Sequence, residues 1–133
     1  MSAACVLDSW AVLAYLEGGR GASSLGAAID RALAHDRAVM SWVNLGEVAY
    51  VLQRRFGKQE AYVTVQDLRA AMTVLLPDEA LVSQAAEIKA SYAMTYADAF
   101  AAATAIQWGA PLWTGDPELL IPKAPWRWKD LRN

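Results

Sequence analysis

The chain has 133 residues, enough for one domain with a sizeable core and too few for two ordinary ones. It is 56% hydrophobic and 20% charged, which excludes disorder, and its net charge of −2 taken at face value argues against a nucleic-acid partner. A single cysteine, Cys5, excludes an internal disulfide, and a single histidine, His35, excludes a histidine-rich zinc site and weighs against Ser-His or Cys-His catalysis.

No apolar run approaches the roughly 18–20 residues of a membrane span, and the N-terminus lacks a signal-peptide layout, so a cytoplasmic protein is expected. Residues 3–7, AACVL, read as a short buried strand with Cys5 as a small core residue. DSWAVLAYLEGG follows as a helix ending at Gly18–Gly19, and SSLGAAIDRALAHD as an amphipathic helix capped by Ser23 or Ser24. Residues 37–41, RAVMS, are a second strand. A helix through VNLGEVAYVLQRRFG stops at Gly57, and KQEAYVTVQDLRAAM is helical despite its β-branched residues. TVLLP, 73–77, is a third strand closed by Pro77; DEALVSQAAEIKASY begins a helix with acids in its first turn. The alanine-rich YADAFAAATAIQWG is helical to Gly109, APLWT is a fourth strand, and a last strand is expected within 123–128. Apolar strands alternating with helices predict one α/β domain, a parallel sheet covered on both faces. Ligands of such sheets bind beyond the carboxyl ends of the strands.

Two acids fall at that edge. Asp8 follows AACVL directly, and Asp116 follows PLWT with only Gly115 between; each also suits a helix cap or a turn. Glu47 sits in WVNLGEVAYVLQ, apolar nearly all round, with no Lys or Arg three or four residues away. A buried, unpaired carboxylate is costly, so Glu47 should be hydrogen-bonded, neutralised or bound to a cation, unless it reaches an exposed edge. Asp98 lies in TYADAFAAATAI beside Ala101, Ala102 and Ala105, small residues that admit close approach by another element. Glu60, Asp67, Asp78, Glu79 and Glu87 lie instead on polar faces or helix starts. Four carboxylates meeting in one cleft would repel unless a divalent cation joined them, and oxygen-only ligation suits Mg²⁺ or Mn²⁺ rather than zinc.

The segments VLDSWAVLAYL, SWVNLGEVAYVL, TYADAFAAATA and LWTGDPEL, in this order and spacing, resemble the PIN-domain ribonucleases, and among them the VapC toxins of bacterial toxin–antitoxin pairs. The likeness spans nearly the whole chain, 1–133, as a single PIN-like nuclease domain. It implies a parallel sheet of about five strands and a metal-dependent endoribonuclease using Mg²⁺, with Mn²⁺ as a substitute. The resemblance puts the catalytic and metal-binding roles on Asp8, Glu47, Asp98 and Asp116, with Glu47 on a second metal or the water. It gives supporting roles to Ser41 and Thr114; Asn44, one turn before Glu47, is added as a helper. An antitoxin of the VapB kind and a homodimer are the implied partners beside RNA, with the helices within 22–72 as the groove for the antitoxin and an antitoxin Arg set against the acids.

Setting the four acids aside leaves 12 basic against 10 acidic residues, +2, compatible with RNA. Arg54, Arg55 and Lys58, and Arg127, Lys129 and Arg132 near the C-terminus, are candidate phosphate contacts or simply solvated ends. Trp126 and Trp128 read as one core and one interface residue, or as bases' stacking partners. A haloacid-type phosphatase would need an acid where Trp10 stands, and a receiver domain a lysine where Thr114 stands. The remaining alternative is a catalytically degenerate PIN-like domain that binds protein or RNA.

Overall fold

The computed structural model describes residues 3–19 and 23–132. Residue 22, where the expected groove range begins, and the ends Met1 and Asn133 lie outside them. Five strands form one sheet: β1 (Cys5–Leu7), β2 (Ala38–Ser41), β3 (Thr73–Leu75), β4 (Leu112–Thr114) and β5 (Trp128–Asp130), in the order β3-β2-β1-β4-β5 and all parallel. Six helices cover it: α1 (Ser9–Ala14), α2 (Ser24–Ala34), α3 (Trp42–Phe56), α4 (Lys58–Ala71), α5 (Glu79–Ser91) and α6 (Tyr96–Trp108). The expected doubly covered α/β sheet is the observed one.

Side chains of the central strands alternate between two cores, as a pleated strand requires. Cys5, Leu7, Ala38 and Met40 face a core built with α1 to α4, while Val6, Val39 and Leu112 face one built with α5 and α6. Each fully buried aliphatic side chain of this kind stabilises the fold by about 1.5–3 kcal/mol. Cys5 is part of this core, and burial pushes its thiol up to about 12, so it is no nucleophile.

Helix starts and stops follow the expected local chemistry. Ser23 caps α2, its hydroxyl accepting from the Gly26 N–H at 3.0 Å. Asp78 caps α5 in the same manner, and Gly109 closes α6 with φ 59°, a left-handed conformation that glycine adopts without strain. α1 differs from expectation: it widens into a π-type turn over Tyr15–Gly19, with Gly18 at φ 135°. The last strand is also displaced, beginning at Trp128 rather than ending there. Residues before it are turned by Pro122 and Pro125, which supply no N–H to a ladder. The Trp-x-Trp pair divides as one core and one outer residue. Trp126 is buried and donates its indole N–H to the Leu119 carbonyl at 3.0 Å, whereas Trp128 is exposed on the edge strand.

Candidate functional site: an acidic cluster at the carboxyl edge of the sheet

β1 and β4 are neighbours, so the residues that leave their carboxyl ends emerge side by side. Asp8 is buried (1% exposed) at the end of β1. It does two jobs there. Its Oδ1 accepts from the Ala11 N–H at 2.8 Å, capping α1, and its Oδ2 accepts from the Thr114 hydroxyl. Thr114, fully buried at the end of β4, in turn accepts from the Asp116 N–H at 3.0 Å. One hydroxyl therefore fixes both acids relative to each other. Asp116 also shapes its turn, as an Asp at this position should: its Oδ1 accepts from the Glu118 N–H at 2.9 Å.

Asp98 enters from α6. Thr95 is the cap, its hydroxyl accepting from the Asp98 N–H at 3.1 Å, so Asp98 occupies the first turn and its side chain is free to face the cluster. It is buried (5% exposed), and one carboxylate oxygen each from Asp98, Asp116 and Glu118 lie within 4.8 Å of one another. Burial, then the negative charge of Asp116 and a proton the two carboxyls can share, push Asp98 up to about 7. Asp8 also rises to about 7: burial raises it most, Thr114 and Ala11 oppose this, and the charges of Asp116 and Glu47 add to it. Among the described residues the ion pairs are Arg55 with Glu17 and Arg132 with Asp130, so none involves these acids.

Glu47 comes in from α3. The helix is apolar nearly all round in residue type but is not buried all round: Gly46 and Tyr50 beside Glu47 are exposed. Glu47 is half-buried and hydrogen-bonded: the Ser9 hydroxyl donates to its Oε1 at 2.6 Å. Ser41 is buried and caps α3, accepting from the Val43 N–H at 3.2 Å, which sets where the helix carrying Glu47 begins. Asn44, fully buried, donates through Nδ2 to the Ala97 carbonyl at 2.9 Å and so ties α3 to the first turn of α6 next to Asp98; its Oδ1 has no partner among the described residues.

The structure thus brings Asp8, Asp98 and Asp116 together, with Glu47 near enough for its charge to act on Asp8. Ser41, Asn44 and Thr114 support them from behind. Arg54, Arg55 and Lys58 lie farther off: Arg54 and Arg55 follow Glu47 by two turns of α3, about 11 Å along its axis. Arg55 is paired with Glu17, and the Arg54 guanidinium lies 5.1 Å from the centre of the Tyr50 ring. Sequence reasoning missed Glu118 and Ser9. Glu118 follows a proline in an exposed turn and carries no apolar context that would mark it; only its spacing from Asp116 hinted at it.

Such a cluster suits a hard divalent cation. It offers oxygen donors only, it concentrates negative charge that burial and mutual repulsion disfavour, and among the described residues no side-chain cation is paired with it. Thr114→Val would keep the shape of the side chain and remove the hydroxyl that bridges Asp8 and Asp116. It is expected to cost about 1–3 kcal/mol of stability and about 10–100-fold in divalent-cation affinity, measured by chemical denaturation and by Mn²⁺ calorimetry.

The fold recurs in solved structures. VapC20 of Mycobacterium tuberculosis, a toxin that cleaves the sarcin-ricin loop, is 22% identical with a TM-score of 0.65, over 86% of this chain and 92% of that one. The DNA-bound VapBC complex of Salmonella typhimurium contains a chain 18% identical with a TM-score of 0.79, over 98% of each chain. VapBC2 of Rickettsia felis, bound to a fragment of its promoter, gives 14% identity and a TM-score of 0.76 over 96% of this chain and 98% of that one. No curated protein matches the sequence. The family model of the PIN domain matches residues 5–123, from the first strand to beyond the acidic cluster. The chain belongs to the PIN-domain family.

Proposed function

We propose that this protein is a metal-dependent endoribonuclease and the toxin of a VapBC-type toxin–antitoxin pair, hydrolysing RNA phosphodiester bonds. The observation that carries the reading is the acidic cluster at the carboxyl edge of the sheet: oxygens of Asp98, Asp116 and Glu118 lie within 4.8 Å of one another, and Asp8 stands close enough for its charge and theirs to interact. Membership of the PIN family supports it, as does the likeness to a toxin that cleaves the sarcin-ricin loop.

Asp8, Asp98 and Asp116 would hold Mg²⁺, or Mn²⁺ in its place, with Glu118 at the outer rim. When bound, the cation supplies an easily ionised water near neutral pH and stabilises charge on the phosphodiester. The chain's own residues do the positioning. The Thr114 hydroxyl holds the Asp8 carboxylate and the Asp116 backbone N–H, and Ser9 holds the Glu47 carboxylate, which would ligate a second metal or orient the attacking water. Asn44 ties α3 to the first turn of α6 beside Asp98, and Ser41 caps α3 and so sets where the helix carrying Glu47 begins. Arg54, Arg55 and Lys58 are assigned a secondary role as outer RNA contacts.

The partner reading rests on α3 and α4. Phe56 (61% exposed), Tyr62 (64% exposed) and Val63 are exposed on these helices, and Tyr62 with Ala49, Lys58, Ala61 and Val65 lines a pocket of about 270 Å³ between them. Apolar surface of this kind favours a protein partner, and several structural neighbours are toxin–antitoxin complexes. The proposed occupant is a VapB-like antitoxin, which would inhibit by setting an arginine against the acids; a homodimer and a cytoplasmic setting complete the reading.

The test is cleavage of an RNA panel by the partner-free protein with Mg²⁺ or Mn²⁺, against EDTA and an Asp116→Asn variant, with Mn²⁺ calorimetry alongside. Metal-dependent cleavage absent from both controls is the expected result. No cleavage together with no Mn²⁺ binding would leave the degenerate binding module.

A further inference from the structure

Away from the acids, a second group of charges comes together from distant parts of the chain. Arg31 and His35 of α2, Arg37 just before β2 and Lys129 of β5 line one pocket of about 270 Å³, with Ala32 and Trp113 among its apolar walls. All four polar side chains are exposed. Among the described residues, Arg31, Arg37 and Lys129 take part in no ion pair. The nearest acids in sequence are engaged or turned elsewhere. Asp30 accepts from the Tyr15 hydroxyl, Asp130 holds Arg132 at 2.9 Å, and Asp36, exposed in a left-handed turn at φ 53°, does not line the pocket.

The cations are held rather than loose. The Lys129 ammonium sits 4.5 Å from the centre of the Trp113 ring. Lys129 and Arg37 both stand close enough to the buried Cys5 thiol for their charges to act on it, which puts them on the same side of β1. Like charges around a hollow repel, and gathering them without a counter-charge creates a local positive potential suited to an anion. The net charge of −2 conceals this polarity, because the unneutralised acids collect at the opposite edge. The pocket lies at the amino ends of β1 and β2, whereas the acids lie at the carboxyl ends; from Ala4 to Asp8 the extended chain covers about 13 Å.

We propose that this pocket binds a backbone phosphate of a bound RNA strand, away from the bond that is cut. The inference rests on the RNA-directed reading above. An extended ligand fits better than a lone anion, because the charges are spread along an open surface and not enclosed. An adjoining hollow shares Lys129 and continues past Ser24 to Arg132. Of the three C-terminal cations marked in the sequence, Lys129 is the one with no hydrogen bond or ion pair among the described residues: Arg127 donates to the Gly109 carbonyl at 2.6 Å, and Arg132 is paired with Asp130.

The experiment is binding of a short single-stranded RNA, followed by fluorescence anisotropy in EDTA over a range of salt concentrations. Arg37→Gln/Lys129→Gln removes two exposed charges, and its melting curve checks the fold. Affinity is expected to fall roughly tenfold, and the slope of log affinity against log salt to become shallower by about 0.7, the contribution of one phosphate contact to a single strand. Lys89→Gln/Lys123→Gln, with the same loss of net charge, is expected to leave both quantities unchanged. Unchanged affinity and slope in the first variant, or an equal loss in the second, would overturn the proposal. So would a wild-type protein that binds no RNA but is stabilised against heat by inorganic phosphate, which would identify a free anion as the ligand. RNA held through this pocket yet left uncut with Mg²⁺ and Mn²⁺ would sink the nuclease reading and leave the anchor standing.

Discussion

Asp98→Asn is expected to abolish metal-dependent RNA cleavage while raising the melting temperature of the metal-free protein at pH 8. The two effects have one cause. In the folded protein burial and the neighbouring Asp116 push Asp98 up to about 7, against 3.8 for a free side chain. A carboxyl whose pKa rises on folding weakens the fold once it ionises. Its contribution is harmless below about 4, stability falls as pH rises from there to about 7, and the loss persists above. The full shift corresponds to about 4 kcal/mol; because Asp98 shares it with Asp116, removing one member should return about 2 kcal/mol, or roughly 5–8 °C in melting temperature. At pH 4 the substitution should gain nothing. Cleavage should fall more than about 100-fold, beyond what the loss of a supporting hydrogen bond costs. Melting curves at pH 4 and pH 8, with cleavage assays at pH 8, check both halves. A variant that loses activity without gaining stability at pH 8 would show that Asp98 carries no electrostatic load.

Gly115→Ala is the second large effect. A Cβ at Gly115 would fall on the benzo ring of Trp10, with three ring carbons well inside van der Waals distance. Gly115 joins Thr114 to Asp116, so relief requires moving either the indole, half-buried against the core that α1 shares, or the turn that aims Asp116. The expected cost is about 1–3 kcal/mol in stability, with cleavage reduced further than stability alone explains. Trp10→Leu should restore room, so the double variant Trp10→Leu/Gly115→Ala is expected to be more stable and more active than Gly115→Ala. Additive losses in that cycle would mean the two residues do not clash in solution. The tryptophan that excludes a phosphatase reading of the sequence is, in the structure, the wall against which the Asp116 turn is set.

How far the sequence reveals this site depends on the kind of signal. Asp8 and Asp116 are legible because each follows an apolar strand, and the parallel sheet makes strand ends converge. Asp98 is legible from its alanine-rich surroundings, which α6 presents as an almost wholly buried surface. Glu47 is legible as an acid that needs a partner, but local periodicity does not register that Gly46 and Tyr50 open one side of α3, or that Ser9, 38 residues earlier, supplies the hydrogen bond. Glu118 lacks any local signature, since its place beside Asp98 exists only once β4 and α6 are packed. The last strand was misplaced because β5 is an exposed edge whose residues WKD lack the apolar run by which the other strands were found. The positive pocket is invisible for the same reason as Glu118: its residues are spaced from 31 to 129 and meet only in the fold.

The pairing of β1 with β4 has a consequence for synthesis. Asp8 leaves the ribosome more than a hundred residues before Asp116, and Thr114, which orients both, has its backbone carbonyl held by the Leu131 N–H at 2.9 Å. A growing chain therefore carries Asp8 and Glu47 before Asp98 and Asp116 exist to complete the cluster. On the function proposed above, a product interrupted before β4 and β5 is expected to be inactive, and cleavage to begin only once those strands have closed the sheet.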